Sequence, residues 1–205
     1  MKHIIYILLM CSIANVTFSQ NKEDHNLKHK IDSLKKLGRD SLIKLAVTKV
    51  YEQGLDPKGY DRIFVKAYKD KLVVEFALSV VLIDGSCYYN NYSVALAGSG
   101  TGGSIQGECD EPTYHKSTNK EKKKIQFVFD AINKSNEIGH LKDNKIDDGN
   151  RMTITEKLTY YYVEMDDWST HSYYEVNKVT GKISNANHKH YDRSHDEEPE
   201  YEIVK

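Results

Sequence analysis

The sequence predicts an α+β protein in which helices are followed by curved antiparallel sheet, with an element order that suggests two such units in tandem. Three observations carry this. Apolar residues recur every three to four positions in two stretches, around 27–50 and 125–132. Between and after them the apolar period changes to two. Turn-forming residues punctuate the period-two stretches.

Residues 20–40 read as a polar lead-in and a first helix, with Leu27, Ile31, Leu34 and Leu37 on one face before Gly38 interrupts. Residues 41–117 read as a helix plus antiparallel strands. Asp40 or Ser41 can cap the helix, which carries Leu42, Leu45, Ala46 and Val50 and ends by Gly54 and Pro57. Tyr60 to Tyr68 is a strand with Ile63, Val65 and Ala67 on one face. Leu72 to Ile83 is one long β-rich run closed by Asp84-Gly85. Cys87 to Ala97 is a third strand, Gly98 to Gly103 a flexible hairpin tip, and Ser104 to Cys109 a weaker fourth strand.

Residues 118–184 repeat the order. Thr118 with Glu121 fits a capping box, and Ile125, Val128, Phe129 and Ile132 stripe the helix behind it. Ile138 to Leu141 reads as a short strand and Lys142 to Asn150 as a polar loop. Arg151 to Met165 alternates as one strand, with Met152, Ile154, Leu158, Tyr160 and Tyr162 on one face. Asp166-Asp167 breaks it before the strand His171 to Val176. The turn at Asn177 to Lys182 leads to a last short strand at Ile183. Residues 185–205 form a charged, polar tail, expected to be disordered or draped on the surface.

Tyr173-Tyr174-Glu175-Val176-Asn177-Lys178-Val179-Thr180-Gly181-Lys182-Ile183 resembles the closing strand-turn-strand of PepSY domains and of NTF2-like immunity proteins. The helix-then-meander order is similar to the cystatin-like arrangement that PepSY domains share. The resemblance implies a non-catalytic role: binding, inhibiting or neutralising another exported protein. No site residues carry over, because these families lack a shared catalytic set.

Residues 1–19 have the three parts of a signal peptide. Lys2 and His3 are followed by the apolar run Ile4 to Met10, and Thr17-Phe18-Ser19 offers small or hydroxylated residues before Gln20. The run is shorter than the roughly 20 residues a membrane span needs, and Leu72 to Ile83 is broken by Glu75 and Ser79. The expected location is therefore periplasmic or extracellular. Leu8-Leu9-Met10-Cys11 resembles a lipobox with Met10 in place of the usual small residue, so lipid anchoring at Cys11 is the minor alternative. Removing the segment takes away one lysine and no acid, so a net charge of −1 becomes −2. That balance gives no electrostatic footprint for nucleic acid. About 185 residues remain, enough for one domain or two small ones. Cys87 and Cys109 would form a disulfide in an oxidising compartment, closing a loop of about 22 residues at a gain of roughly 3 kcal/mol.

The motifs for chemistry fall short. Gly98-Ser99-Gly100-Thr101-Gly102-Gly103 matches a dinucleotide fingerprint but opens no helix. In the acidic stretch Asp143 to Asn150, counting back from Gly149 puts Ile146 where a calcium ligand is needed. His188, His190, Asp192 and His195 are dense in metal-ligating types, but the polar tail supplies no frame. Glu156 and Glu164 share parity with the apolar face and could line a cleft. The sequence thus assigns no catalytic residue, no metal site and no cofactor.

Tyrosine is the compositional oddity, at 15 residues, of which Tyr6 lies in the leader. Tyr pairs a broad apolar ring with a polar tip, which suits protein contacts. The expected contact residues are Trp168, Tyr161, Tyr173, Tyr174 and Tyr89. The sequence-level expectation is an exported non-enzymatic protein that binds a protein partner through its tyrosine-rich sheet. The alternatives are a ligand-binding or hydrolytic protein with a site in the sheet concavity, and a cell-envelope accessory protein.

Overall fold

The computed structural model describes residues 24–106, 110–135, 151–166, 170–190 and 200–205. Among them the fold is α+β, with three helices and two sheets. Helix α1 (24–35) runs to Gly38, whose φ of 76° starts α2 (Arg39–Glu52). Gly38 is itself the N-cap and no side chain caps the helix, so the expected role of Asp40 or Ser41 is corrected: both lie inside the first turn. Leu42, Ala46 and Val50 are buried, whereas Leu45 points to solvent.

The first sheet contains β1 (Arg62–Ala67), β2 (Leu72–Ala77), β4 (Tyr88–Ala97), β5 (Gly102–Gln106), β6 (Thr113–Tyr114) and β11 (Glu202–Ile203). Its order is β11-β1-β2-β4-β5, with β6 parallel to the start of β4. Helix α2 packs on β1, β2 and β4. Strand β5 begins inside the glycine stretch, at Gly102 rather than Ser104. Gly103 has to be small there: a Cβ would lie 2.6 Å from the Asn91 carbonyl and 2.6 Å from the Tyr89 ring.

The second sheet has the order β10-β9-β8-β7-β3. It contains β3 (Val80–Ile83), β7 (Arg151–Glu156), β8 (Tyr160–Asp166), β9 (Thr170–Asn177) and β10 (Ile183–His190). Helix α3 (Asn119–Ser135) buries Val128, Ala131 and Ile132 against Met152, Ile154, Val163 and Val176. Its first turn closes as the capping box predicts. Thr118 N donates to Glu121 at 2.6 Å and Glu121 N donates to Thr118 Oγ1 at 3.2 Å.

Three expectations are revised. The run Leu72 to Ile83 is two strands in two sheets. It bends at Leu78-Ser79, where Asp61 accepts from Ser79 N at 2.8 Å, and β3 then pairs parallel to β7. Val81 consequently packs in the core of the first sheet while its neighbour Leu82 packs in that of the second. The run Arg151 to Met165 is a hairpin, β7-β8, with Leu158 in the turn and 94% exposed. Residues 185–205 include most of β10, and further on β11 pairs with the β1 edge. The strand expected at Ile138 to Leu141 and the loop at Lys142 to Asn150 lie outside the described residues.

Candidate functional site

The hairpin decides which tyrosines reach the surface. Met152, Ile154 and Glu156 face α3, and across the ladder they meet Met165, Val163 and Tyr161. Alternation then turns Tyr160, Tyr162 and Glu164 to the opposite face. On β9, Tyr174 and Val176 face α3 and His171, Tyr173 and Glu175 turn away. Tyr161 at 6% exposure and Tyr174 at 0% are core residues. Both are thereby removed from the expected contact set, because a partner cannot reach a ring packed beneath a helix.

The outer face instead joins Tyr162, Tyr173, Glu164, Glu175 and His171. Tyr162 lies opposite Glu175 and Tyr173 opposite Glu164. The two tyrosine rings meet diagonally, 6.0 Å between centroids at 36°. His171 Nε2 lies 3.7 Å from Glu164 Oε1, and Glu175 accepts from Asn185 Nδ2 at 2.7 Å. Burial pushes the Tyr162 phenol up, and Glu164, Tyr173, Glu175 and Tyr160 add to it, so the phenol stays neutral and can donate. Thr153 and Thr155 of β7 extend the face. Rings with polar tips on a rigid sheet suit protein contact at low entropic cost.

Tyr89 is in the first sheet, edge-on to Tyr92 at 5.5 Å and over Gly103, so it does not share a surface with Tyr173. Trp168 and Cys109 lie outside the described residues. Cys87 is disulfide-bonded; the other cysteines, Cys11 and Cys109, are both outside the described residues. Parity read through one continuous strand assigns Tyr162 and Glu164 to the inner face, and that is corrected: both face outward, beside His171 and Glu175. The signal would have been a break at Lys157-Leu158-Thr159, a triplet without Gly, Pro, Asn or Asp.

Glu156 and Glu164 lie on opposite faces, so they cannot flank one bond. On the helix side, Glu156 pairs with Lys124 of α3 and with Lys178, whose Nζ is 2.6 Å away and also donates to the Lys157 carbonyl at 2.9 Å. Lys124, then Lys178, holds the Glu156 carboxyl below the usual carboxylate range, and Glu156 raises Lys124. A carboxylate held ionised between two ammonium groups ties the β7-β8 turn and the Thr180-Gly181 turn to the helix. It is poorly suited to act as a general acid. Because the folded pKa is depressed, the stabilisation is present above the ordinary glutamate value of about 4.3 and is lost as pH falls through the folded value. Glu156→Gln is expected to cost on the order of 1 kcal/mol at pH 7. The gap to wild type should narrow as the pH falls below about 4.3 in urea denaturation, and a gap that stays unchanged down to full protonation would exclude this role.

A second feature, missed from the sequence, is a cleft of about 390 Å3 between the start of β4 and the N-terminal end of α3, lined by residues that include Asp84, Tyr88, His115, Glu121 and Lys124. His115 Nε2 lies 3.2 Å from Glu121 Oε1, with side-chain exposures of 10% and 7%. The His115 ring stacks on Tyr88 at 3.9 Å. The Tyr88 hydroxyl donates to the Leu82 carbonyl at 2.9 Å. Since Glu121 Oε2 accepts from Thr118 N, both carboxylate oxygens are engaged and the cluster works as a joint.

Other sequence candidates resolve plainly. The glycines of residues 98–103 lead into β5, and no helix N-terminus follows them. His188 and His190 lie beside Ser172 and Thr170 hydroxyls, at 2.9 and 3.2 Å. Among the described residues no three or more His, Cys, Asp or Glu are placed to hold a metal ion, and no helix is long and apolar enough to cross a membrane. No family model, no curated protein and no solved structure matches the chain.

Proposed function

We propose that this chain is an exported binding protein that engages a protein partner through the outer face of its second sheet. The observation that carries this reading is the Tyr162–Tyr173 pair, set among Glu164, His171 and Glu175 on the face opposite α3. An ordered aromatic pair backed by a packed core pre-organises a contact surface, which reduces the entropic cost of binding. An inhibitor or immunity-type role is the specific form, in keeping with the PepSY-like and NTF2-like character of residues 173–183. A Cys87–Cys109 bond belongs to the same proposal. Hydrolysis through Glu156 and Glu164 is disfavoured by their opposite faces.

The test is capture of a partner from the exported proteins of the source cell on immobilised protein. Tyr162→Ala and Tyr173→Ala are each expected to weaken binding more than tenfold, as aromatic hot spots do, with circular dichroism unchanged. Trp168→Ala belongs in the same series. Binding that survives both tyrosine variants would exclude this face. A partner that is an envelope component rather than a toxin or enzyme would favour the accessory role.

A further inference from the structure

Strand β11 closes the β1 edge of the first sheet with very few residues. Lys66 pairs with Ile203 and Ala67 with Glu202, and Val204 N donates to the Val65 carbonyl at 2.9 Å. The side chains supply the recognition. Val204 is buried in the core of the first sheet, beneath the helices. Glu202 forms an ion pair with Lys35 of α1. On the other face, the Tyr201 ring packs 5.5 Å from that of Tyr68, and Lys66 Nζ sits 4.9 Å from its centroid. Among the described residues, the contacts that seat the strand come from Tyr201, Glu202, Ile203 and Val204.

The geometry points to strand exchange: the β1 edge is a docking site for an extended segment, and a second copy of this chain occupies it with its own residues 201–204. A site that reads one short strand cannot distinguish that strand in its own chain from the same strand in another. Residues 191–199 separate β10 from this segment, and nine residues can span up to about 30 Å when extended, enough to deliver it to a neighbouring molecule. Reciprocal exchange makes a closed two-fold pair in which both β1 edges are covered, so growth stops at the dimer. The tether opposes exchange, since it gives the resident strand an effective concentration on the order of 1 mM. Exchange is therefore favoured when the protein refolds near that concentration. The ladder is two residues long, so release disrupts little of the remaining fold.

The experiment uses the full chain in two mass-distinguishable forms. They are mixed, unfolded, refolded together at about 1 mM and diluted for native mass spectrometry. The expected result is a mixed dimer that Val204→Asp abolishes and that excess synthetic peptide 200–205 suppresses. A second readout guards against misfolding of the variant. Folded Val204→Asp protein, verified by circular dichroism, should bind the labelled peptide saturably and ignore a scrambled one. Monomer under all conditions, or a dimer that persists in Val204→Asp, overturns exchange; failure of the peptide to bind overturns the docking site.

Discussion

Tyr88→Ala should lower the stability by about 3–5 kcal/mol, the loss expected when a large buried aromatic is truncated. Tyr88 is 1% exposed and belongs to the core of the first sheet, yet its hydroxyl is bonded to Leu82 in the second. Truncation opens a cavity, strips the stacking partner from His115 and removes the donor to the Leu82 carbonyl. Tyr88→Phe separates these terms: it keeps the ring and should cost about 1–3 kcal/mol for the orphaned carbonyl. Burial, with smaller contributions from Asp84 and Glu121, pushes the Tyr88 phenol well above the ordinary value of 10.0. The unfolded chain then ionises first, so wild-type stability should fall as pH rises past that value, and Tyr88→Phe should flatten the fall. Urea midpoints at pH 7 and pH 10.5 measure both effects. Equal losses for Phe and Ala at pH 7 would show that the ring contributes nothing.

The second large effect is expected at Glu121. Alanine there removes the capping box, worth about 1 kcal/mol, and leaves His115 buried beside no carboxylate, worth about 1–3 kcal/mol more. A total loss of about 2–4 kcal/mol follows. Glu121→Gln can still close the box with its one carboxamide oxygen and turn its amide N–H toward His115 Nε2 in the tautomer that accepts, so it should lose less than half as much. Thermal denaturation of the two variants checks this, and a Gln variant as unstable as the Ala variant would mean that the negative charge, rather than the hydrogen bonds, holds the joint.

Much of this architecture is legible in the sequence where local chemistry specifies it. Thr118 and Glu121 mark the start of α3 because the cap is made within one turn. Val128 and Ile132 mark its buried stripe because helix period is local. The features that were not legible depend on distant residues. Val74 and Leu82 sit in one β-rich run, and nothing in its period says that the first packs in the core of one sheet and the second in that of the other. The β7-β8 turn lacks the residues that usually mark turns, so sequence parity points Tyr160 and Tyr162 inward, whereas the turn moves the inward positions to Tyr161 and Val163. His115 stands alone in sequence, and only the fold brings Tyr88 and Glu121 to it. Tyr201 to Val204 is a short apolar motif at the end of a charged stretch, and composition averaged over that stretch hides it.

The placement of Val81 and Leu82 in adjacent cores has a consequence for how the molecule is made. Strand β3 is synthesised with most of the first sheet, but the strand it pairs with among the described residues, β7, begins at Arg151. For that interval of synthesis, Val80, Val81, Leu82 and Ile83 wait for the strand they pair with, and pairing across such a sequence separation is slow. An emerging chain thus carries a sticky edge until its own second half pairs with it. Severing the polypeptide before α3 would strand β3 on the wrong fragment, so the two sheets should be inherited, folded and lost together.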